Sequence, residues 1–287
     1  MTPRALPATR SRPGRPSRRA PASLRKAGRG GAEVLRWVVS LGLLLAVWQW
    51  LLVPHSSPVF VAAPSAVWHE LGSMSADGSL WSGVGTTLAE ALVGFAIGLG
   101  IGMVFALAIG LMVPLVGKVL EPVVTAVYTS PKFVLAPILF IWFGAGFAPR
   151  VVLVAADVFP VIAIYALGGI RTVNTDVVLA LRLYGGNWRH VAGKVLVPHI
   201  SGDLVTAVTV ALPRAVTIAI GVEILFGTTT GIGGLLNTDT DQFSASGVWA
   251  TLVVGTVISA LFITLTQFAG AATRRHFFGD ESGGRQR

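Results

Sequence analysis

The chain has 287 residues, 53% of them hydrophobic and only 12% charged, with a mean hydropathy of +0.72, against roughly 25% charged in ordinary soluble domains. That balance excludes a soluble globular domain and reads as an integral membrane protein, and the 34 glycines agree, because small residues let membrane helices approach closely. The net charge of +9 does not describe a nucleic-acid surface, since nine of the 22 Lys and Arg crowd into residues 1–30 with no acid or aromatic among them, and the lack of cysteine excludes disulfides and thiolate metal sites.

Residues 1–33, broken by Pro3, Pro7, Pro13, Pro16 and Pro21, are too polar to build a core and predict a disordered basic tail. The apolar run that follows is longer than a secretory signal core and lacks a small-x-small cleavage site after it. Hydropathy then predicts an all-α polytopic protein with six transmembrane helices, at about 35–53, 85–112, 119–143, 150–170, 204–226 and 247–272, each near the 20 apolar residues a bilayer core requires. A transmembrane domain over 34–275 and a C-terminal tail over 276–287 complete the expected organisation. Counting cations on alternate sides, the basic tail, Lys118, the 171–198 loop, Arg274 and Arg275 fall on one side, and Arg150, Glu70, Asp77, Asp239 and Asp241 on the other. The asymmetry predicts both termini in the cytoplasm and a multi-pass protein of the plasma membrane.

After the first span, Ala63-Pro64-Ser65-Ala66 reads as a helix start, with proline at the first helical position. Two readings stand for this segment: a helix on the membrane surface, or a contact for an external donor protein. In the second span Gly94, Gly98 and Gly102 recur every four residues, a spacing that packs helices closely and carries no substrate information. A share in a self-dimer interface is the second reading.

The third span is broken by Pro122, Pro131 and Pro137 and contains Lys132 beside Tyr128 and Ser130. Each proline frees a carbonyl that membrane must satisfy with protein or a cavity, and broken helices of this kind belong to transport paths. A kinked structural helix with Lys132 snorkelling to the headgroups is the alternative. Asp157 in the fourth span and Arg214 and Glu223 in the fifth are intramembrane ionisable groups, hence functional candidates by default. Tyr128, Lys132, Asp157, Arg214 and Glu223 therefore form the candidate translocation path, with pairing inside the bundle as the equally weighted alternative.

Between the fourth and fifth spans lies a basic interval, Arg171 to Pro198. Val177 to Tyr184 has helix character, Gly185 and Gly186 break it, and Asn187 is placed to cap a second helix, Trp188 to Leu196, with Trp188, Val191, Ala192 and Val195 on an apolar face. A helix–turn–helix with Arg182, Trp188 and Arg189 around its tip suits docking into a groove of a soluble partner; a helix that only marks the bilayer edge is the bland alternative. No catalytic constellation is legible. The five histidines have no metal-ligand spacing, and Gly221 to Gly234 lacks a Walker lysine and a Rossmann context. The chain reads as a non-enzyme whose energy comes from a partner or a gradient.

At this loop the chain resembles the inner-membrane permease subunits of binding-protein-dependent ABC importers. Their signature runs Glu-Ala-Ala, three residues, Gly, nine residues, Ile-x-Leu-Pro; here Leu179, Ala180 and Leu181 hold the first positions, Gly185 the glycine, and Val195, Val197 and Pro198 the end. The resemblance extends to the branch importing nitrate, taurine, aliphatic sulfonates or thiamine-precursor pyrimidines. It rests on Pro131-Lys132, Leu135-Ala136-Pro137, Trp142-Phe143-Gly144, Phe159-Pro160, Glu223 and Gly231-Ile232-Gly233. Glu90 and Thr209 replace arginines usual in that branch. The resemblance implies a coupling loop of Arg182, Gly185, Gly186, Trp188, Arg189, Val195 and Pro198 seated in an ATP-binding subunit. It also implies a homodimer of this chain, two cytoplasmic ATPase subunits that bind the ATP and Mg, an external solute-binding protein, no cofactor in the chain itself and no nucleic acid. A secondary transporter driven by an ion gradient is the rival class.

Overall fold

The computed structural model describes residues 36, 39–40, 42–57, 60–111 and 114–278. The expected disordered tail over 1–33 and the last nine residues, 279–287, lie outside them. Contacts divide the chain at His55. Before the division stands one apolar helix, α1 (Gly42–His55), whose last turns widen over Trp48–Leu52 and tighten over Val53–His55. Of the expected first span, 35–53, residues 42–53 lie in α1 and residues 36, 39 and 40 are also helical, while the rest lie outside the described residues.

The second unit is entirely helical among the described residues. In chain order it comprises α2 (Pro64–Ala76), α3 (Ser79–Leu111), α4 (Pro114–Thr129), a 3-10 turn (Lys132–Leu135), α5 (Ala136–Phe143) and α6 (Phe147–Arg171). Then come α7 (Thr175–Leu183), α8 (188–199), α9 (Ser201–Leu225), α10 (Gly231–Asp241) and α11 (Ala245–Phe278). Four of these, α3, α6, α9 and α11, are long and apolar enough to cross a membrane, and a fifth crossing exists if α4 and α5 are one broken span. The expectation of six is corrected to four or five among the described residues. Two causes are plain: the expected first span lies only partly within the described residues, and the third span bends by 81° between Pro122–Thr129 and Lys132–Phe143, where proline removes backbone donors. The last helix runs to Phe278, past the expected boundary at 275.

α6 is the axis of the unit. On one side it meets the glycine row of α3: a Cβ at Gly94, Gly98 or Gly102 would lie 2.6, 2.7 or 2.8 Å from the Cβ of Val154, Val158 or Ile162. Four-residue spacing on both helices aligns the rows, and the missing side chains let the backbones touch. The glycine row is therefore spent on packing within the chain. On its other side α6 meets α9, which contributes Ala207, Ala211, Ala215 and Ala219 to the same buried cluster.

Proline stands at the first position of α2, as its sequence position dictates. The helix buries Val67 and Met74 and leaves Trp68 exposed. Glu70 accepts from Ser246 at 3.2 Å, tying α2 to α11. Asp77 accepts from the Ser79 backbone N–H at 2.8 Å and so starts α3; hydrogen bonding to Ser79 holds its carboxyl below the usual aspartate range.

Candidate translocation site and coupling loop

The break in the third span creates the first site. α4 ends at Thr129, and Pro131 adopts an extended backbone before the chain re-enters a helical turn. The backbone carbonyl of Tyr128 at this break accepts from Lys132 Nζ at 2.5 Å. Lys132 Nζ also lies 3.5 Å from Asp157 Oδ1. From α9, Arg214 grips the same carboxylate with two bonds, Nη2 to Oδ1 at 2.9 Å and Nε to Oδ2 at 3.1 Å, the bidentate geometry that makes such pairs strong. Tyr128 is flanked by both cations: Lys132 Nζ lies 5.5 Å and the Arg214 guanidinium 5.4 Å from its ring centre, within cation–π range.

These groups line a cavity of about 250 Å³, walled also by Thr129, Ser130, Phe133, Leu153, Ile218 and Val222. Four of the five residues expected on a translocation path, Tyr128, Lys132, Asp157 and Arg214, are thus brought together. They come from α4, the 3-10 turn, α6 and α9, separated by up to 86 positions in sequence.

Glu223, the fifth, belongs to a different cluster. Thr87 Oγ1 donates to its carboxylate at 2.7 Å, and the backbone N–H of Gly233 donates to Oε2 at 2.7 Å. Thr87 in turn accepts from the N–H of Ile232 at 2.8 Å, so a carboxylate from α9 and a hydroxyl from α3 jointly satisfy the open first turn of α10. Gly231, at φ +84, must be glycine twice over, because a Cβ there would also collide with the Glu223 carboxylate. Beside this knot Arg150 Nη1 lies 2.5 Å from Glu90 Oε1, and its Nε donates to the Gly146 carbonyl at 2.9 Å. Glu90, Glu223 and Arg150 are all buried.

Sequence reasoning missed most of this knot. It used Arg150, at the edge of the fourth span, only in the count of cations, treated Glu90 only as a departure from a family pattern and passed over Thr87 and α10. The available signal was an acid in the middle of an apolar span, which requires a buried partner. Nothing in the spacing names that partner.

The loop expected to couple folds as two short helices. Asn174 caps α7 by accepting from the Asp176 N–H at 2.8 Å. Gly185 at φ +82 ends it, with the Gly186 N–H closing back on the Leu181 carbonyl at 2.9 Å, a helix stop that needs glycine. Asn187 then caps α8: its side chain accepts from the His190 N–H at 3.1 Å, and His190 Nδ1 accepts from the Asn187 N–H at 3.3 Å.

A wide turn over Ala192–Leu196 inserts extra rotation, so Val191 and Leu196 are the buried residues of α8 and Val195 is half-buried. Trp188, expected on the apolar face, is instead 60% exposed, with the Arg189 guanidinium 5.3 Å from its ring centre. Tyr184 is 92% exposed. Arg182, Arg189 and Pro198 are also exposed. The far end is tied down where Thr172 meets His199 Nε2 at 2.9 Å. The outcome is a rigid turn, held from below by two apolar side chains and presenting aromatics and cations on top. Among the described residues no group of three His, Cys, Asp or Glu could hold a metal.

Comparison with known proteins agrees with this architecture. Residues 98–277 match the family model described as binding-protein-dependent transport system inner membrane component. The taurine transport system permease protein TauC of Escherichia coli is 24% identical over 80% of this chain and 85% of its own length. The riboflavin transport system permease protein RibX of Chloroflexus aurantiacus is 27% identical over 82% and 87%. Among solved structures, the inward-facing MetNI methionine ABC transporter shares the fold at a TM-score of 0.52 with 21% identity, over 69% of this chain and 94% of that one. A bacterial ABC transporter involved in import of the acidic polysaccharide alginate does so at 0.58 with 12% identity, over 88% and 99%.

Proposed function

We propose a function from one premise: this chain belongs to the family of binding-protein-dependent transport system inner membrane components. It is a transport component and not an enzyme. In our reading two copies line one path across the plasma membrane, with both termini cytoplasmic. An external binding protein delivers a small solute, and two cytoplasmic subunits bind and hydrolyse ATP. The chain converts closure of those subunits into alternate opening of the path, a population shift driven by differential contacts.

The observation that carries this reading is the loop tip. Trp188 and Tyr184 are large aromatics left in solvent on a turn whose backbone is fully specified by caps and glycine. Rigid exposed aromatics beside arginine are what an interface anchor requires. For the solute, an aliphatic sulfonate, taurine or nitrate is favoured by the cation excess at Lys132, Asp157 and Arg214. A thiamine-precursor pyrimidine is the alternative within the same class. Relatives of similar distance are named for substrates as different as taurine and riboflavin, so overall likeness does not choose among them.

The test reconstitutes the chain with its ATPase and binding protein. Trp188→Ala and Gly185→Val should leave the membrane helices folded, weaken ATPase capture by about thirtyfold, corresponding to roughly 2 kcal/mol for a truncated anchor, and uncouple hydrolysis from uptake. Unchanged capture and stimulation would remove the coupling assignment. Uptake by the purified chain alone would replace the importer with a gradient-driven transporter.

A further inference from the structure

The three charged groups at the cavity are not equivalent. Arg214 holds Asp157 through both carboxylate oxygens, at 2.9 and 3.1 Å. Lys132 stands 3.5 Å from Oδ1, outside the range of a charge-assisted hydrogen bond, and its short contact is to a neutral carbonyl. One carboxylate therefore faces two cations, and the weakly held cation is the lysine. It is also only 9% exposed, so it cannot draw full compensation from water.

The hydroxyl protons of Thr129 and Ser130 are committed to carbonyls of their own helix, at 3.1 Å and 2.7 Å from the Ala126 oxygen. Lysine is thus the charged donor the cavity can spare, since the other polar donor at the wall, the Tyr128 hydroxyl, is neutral and accepts from Arg214 at 3.4 Å. At about 250 Å³ the space is below that of drug-sized sites and suits a solute of few atoms.

We propose that Lys132 is the exchangeable cation of this site: the oxyanion head group of a small solute takes its ammonium from Asp157, while Arg214 stays locked on that carboxylate. The inference rests on the translocation reading above and adds a specificity-determining residue. Asp157 serves as a resident counter-ion that the passing anion replaces. Neutral solutes gain nothing from the exchange, and cations meet a site already carrying one net positive charge. The exchange also explains the use of lysine, whose point charge on a flexible stem can turn between two acceptors, where an arginine fork would be held by one.

Because the chain contains no cysteine, Ser130→Cys places one thiol on the cavity wall. In the assembled transporter, its modification is timed with three methanethiosulfonate reagents: neutral methyl, anionic sulfonatoethyl and cationic trimethylammonioethyl, each corrected for its rate with a free thiol. The anionic reagent should outpace the cationic one, and adding Lys132→Gln should reduce that ratio on the order of tenfold, as focused charge in a cleft does. Lys132→Arg should preserve the ratio and supplies the comparison if the glutamine variant fails to assemble. Millimolar methanesulfonate should slow modification when Lys132 is present, less in Lys132→Arg, whose fork stays on Asp157, and not at all in Lys132→Gln. Modification by all three reagents with a ratio indifferent to Lys132→Gln, or equal protection in that variant, would overturn the inference and leave the path reading intact. No modification even by the neutral reagent would overturn both, because the cavity would then be closed to solutes.

Discussion

The two buried charge clusters have opposite arithmetic. At the cavity two cations, Lys132 and Arg214, face one acid, Asp157. At the knot two acids, Glu90 and Glu223, face one cation, Arg150. The surroundings differ in the same sense. The first borders about 250 Å³ of space, and Arg214 is only partly buried. The second has its acids sealed, and the Glu223 carboxylate is occupied by Thr87 and the Gly233 N–H.

An ionisable residue inside a membrane helix is thus two kinds of object. One is arranged to exchange partners; the other fastens helices α3, α6, α9 and α10 together. The second kind tolerates no vacancy, because a partner lost from a sealed cluster strands an uncompensated charge.

Removing the lone cation of the knot should therefore give the largest effect in the molecule. Arg150→Met leaves two buried acids without their counter-charge, at a cost of about 3–5 kcal/mol, enough to abolish assembly in membranes. Adding Glu90→Gln should restore most of it by removing one of those charges. Size-exclusion profiles and thermal melts of the detergent-purified chain read both variants. A well-assembled Arg150→Met protein would erase the distinction between the clusters.

A second effect, smaller and purely steric, acts on what sets the knot's geometry. Glu90 on α3 reaches Arg150 on α6 only because the glycine row lets those helices touch. At Gly98 a Cβ would meet the backbone carbonyl of Ala155 at 2.8 Å as well as Val158, so neither neighbour can rotate away. Gly98→Leu should cost about 1–3 kcal/mol from overpacking, visible as a lowered melting temperature. If the glycine row served only contacts between copies of the chain, the isolated chain would melt unchanged.

Much of this frame is legible in sequence, and the reason lies in periodicity. The glycine row, the proline at the head of α2, the break at Pro131 and the Gly185-Gly186-Asn187 turn each act through neighbours within four residues, so local rules reach them. The clusters are otherwise. Tyr128, Lys132, Asp157 and Arg214 can be nominated one by one, as polar groups in apolar helices, but the sequence leaves Asp157 and Glu223 equal claimants for the two cations. Only the rotation of α9 decides it, turning Arg214 toward the cavity and Glu223 toward α10. The helix α10 itself escaped because glycines at 231, 233 and 234 are poor helix formers, whereas its first turn is satisfied from Glu223 and Thr87. The 81° bend defeats a hydropathy window for a related reason: the window measures composition and not direction.

The smallest effect separates sealed from half-sealed acids and uses pH. Asp239 on α10, outside the long spans, accepts from Thr251 Oγ1 at 3.0 Å. Burial pushes its carboxyl above the usual aspartate range, the Thr251 bond opposes this, and the charge of Glu70 adds to it. An acid whose folded pKa is raised binds more protons in the folded state than in the unfolded one across the window from the ordinary aspartate value of 3.8 up to the raised one. Folding is therefore favoured most at the acid end of that window, and the contribution is lost as pH rises through it. At neutral pH the ionised group is a mild burden. Asp239→Asn keeps a side-chain oxygen for the Thr251 hydroxyl and removes the charge. It should raise stability at pH 7 by on the order of 0.5 kcal/mol, since water still screens a half-buried carboxylate, and should leave stability near pH 3 unchanged. Melts of both proteins across pH 3–7 read this directly. Curves that stay parallel across the range would mean that Asp239 feels no burial, and that the unit seals its acids only at the knot where an arginine accompanies them.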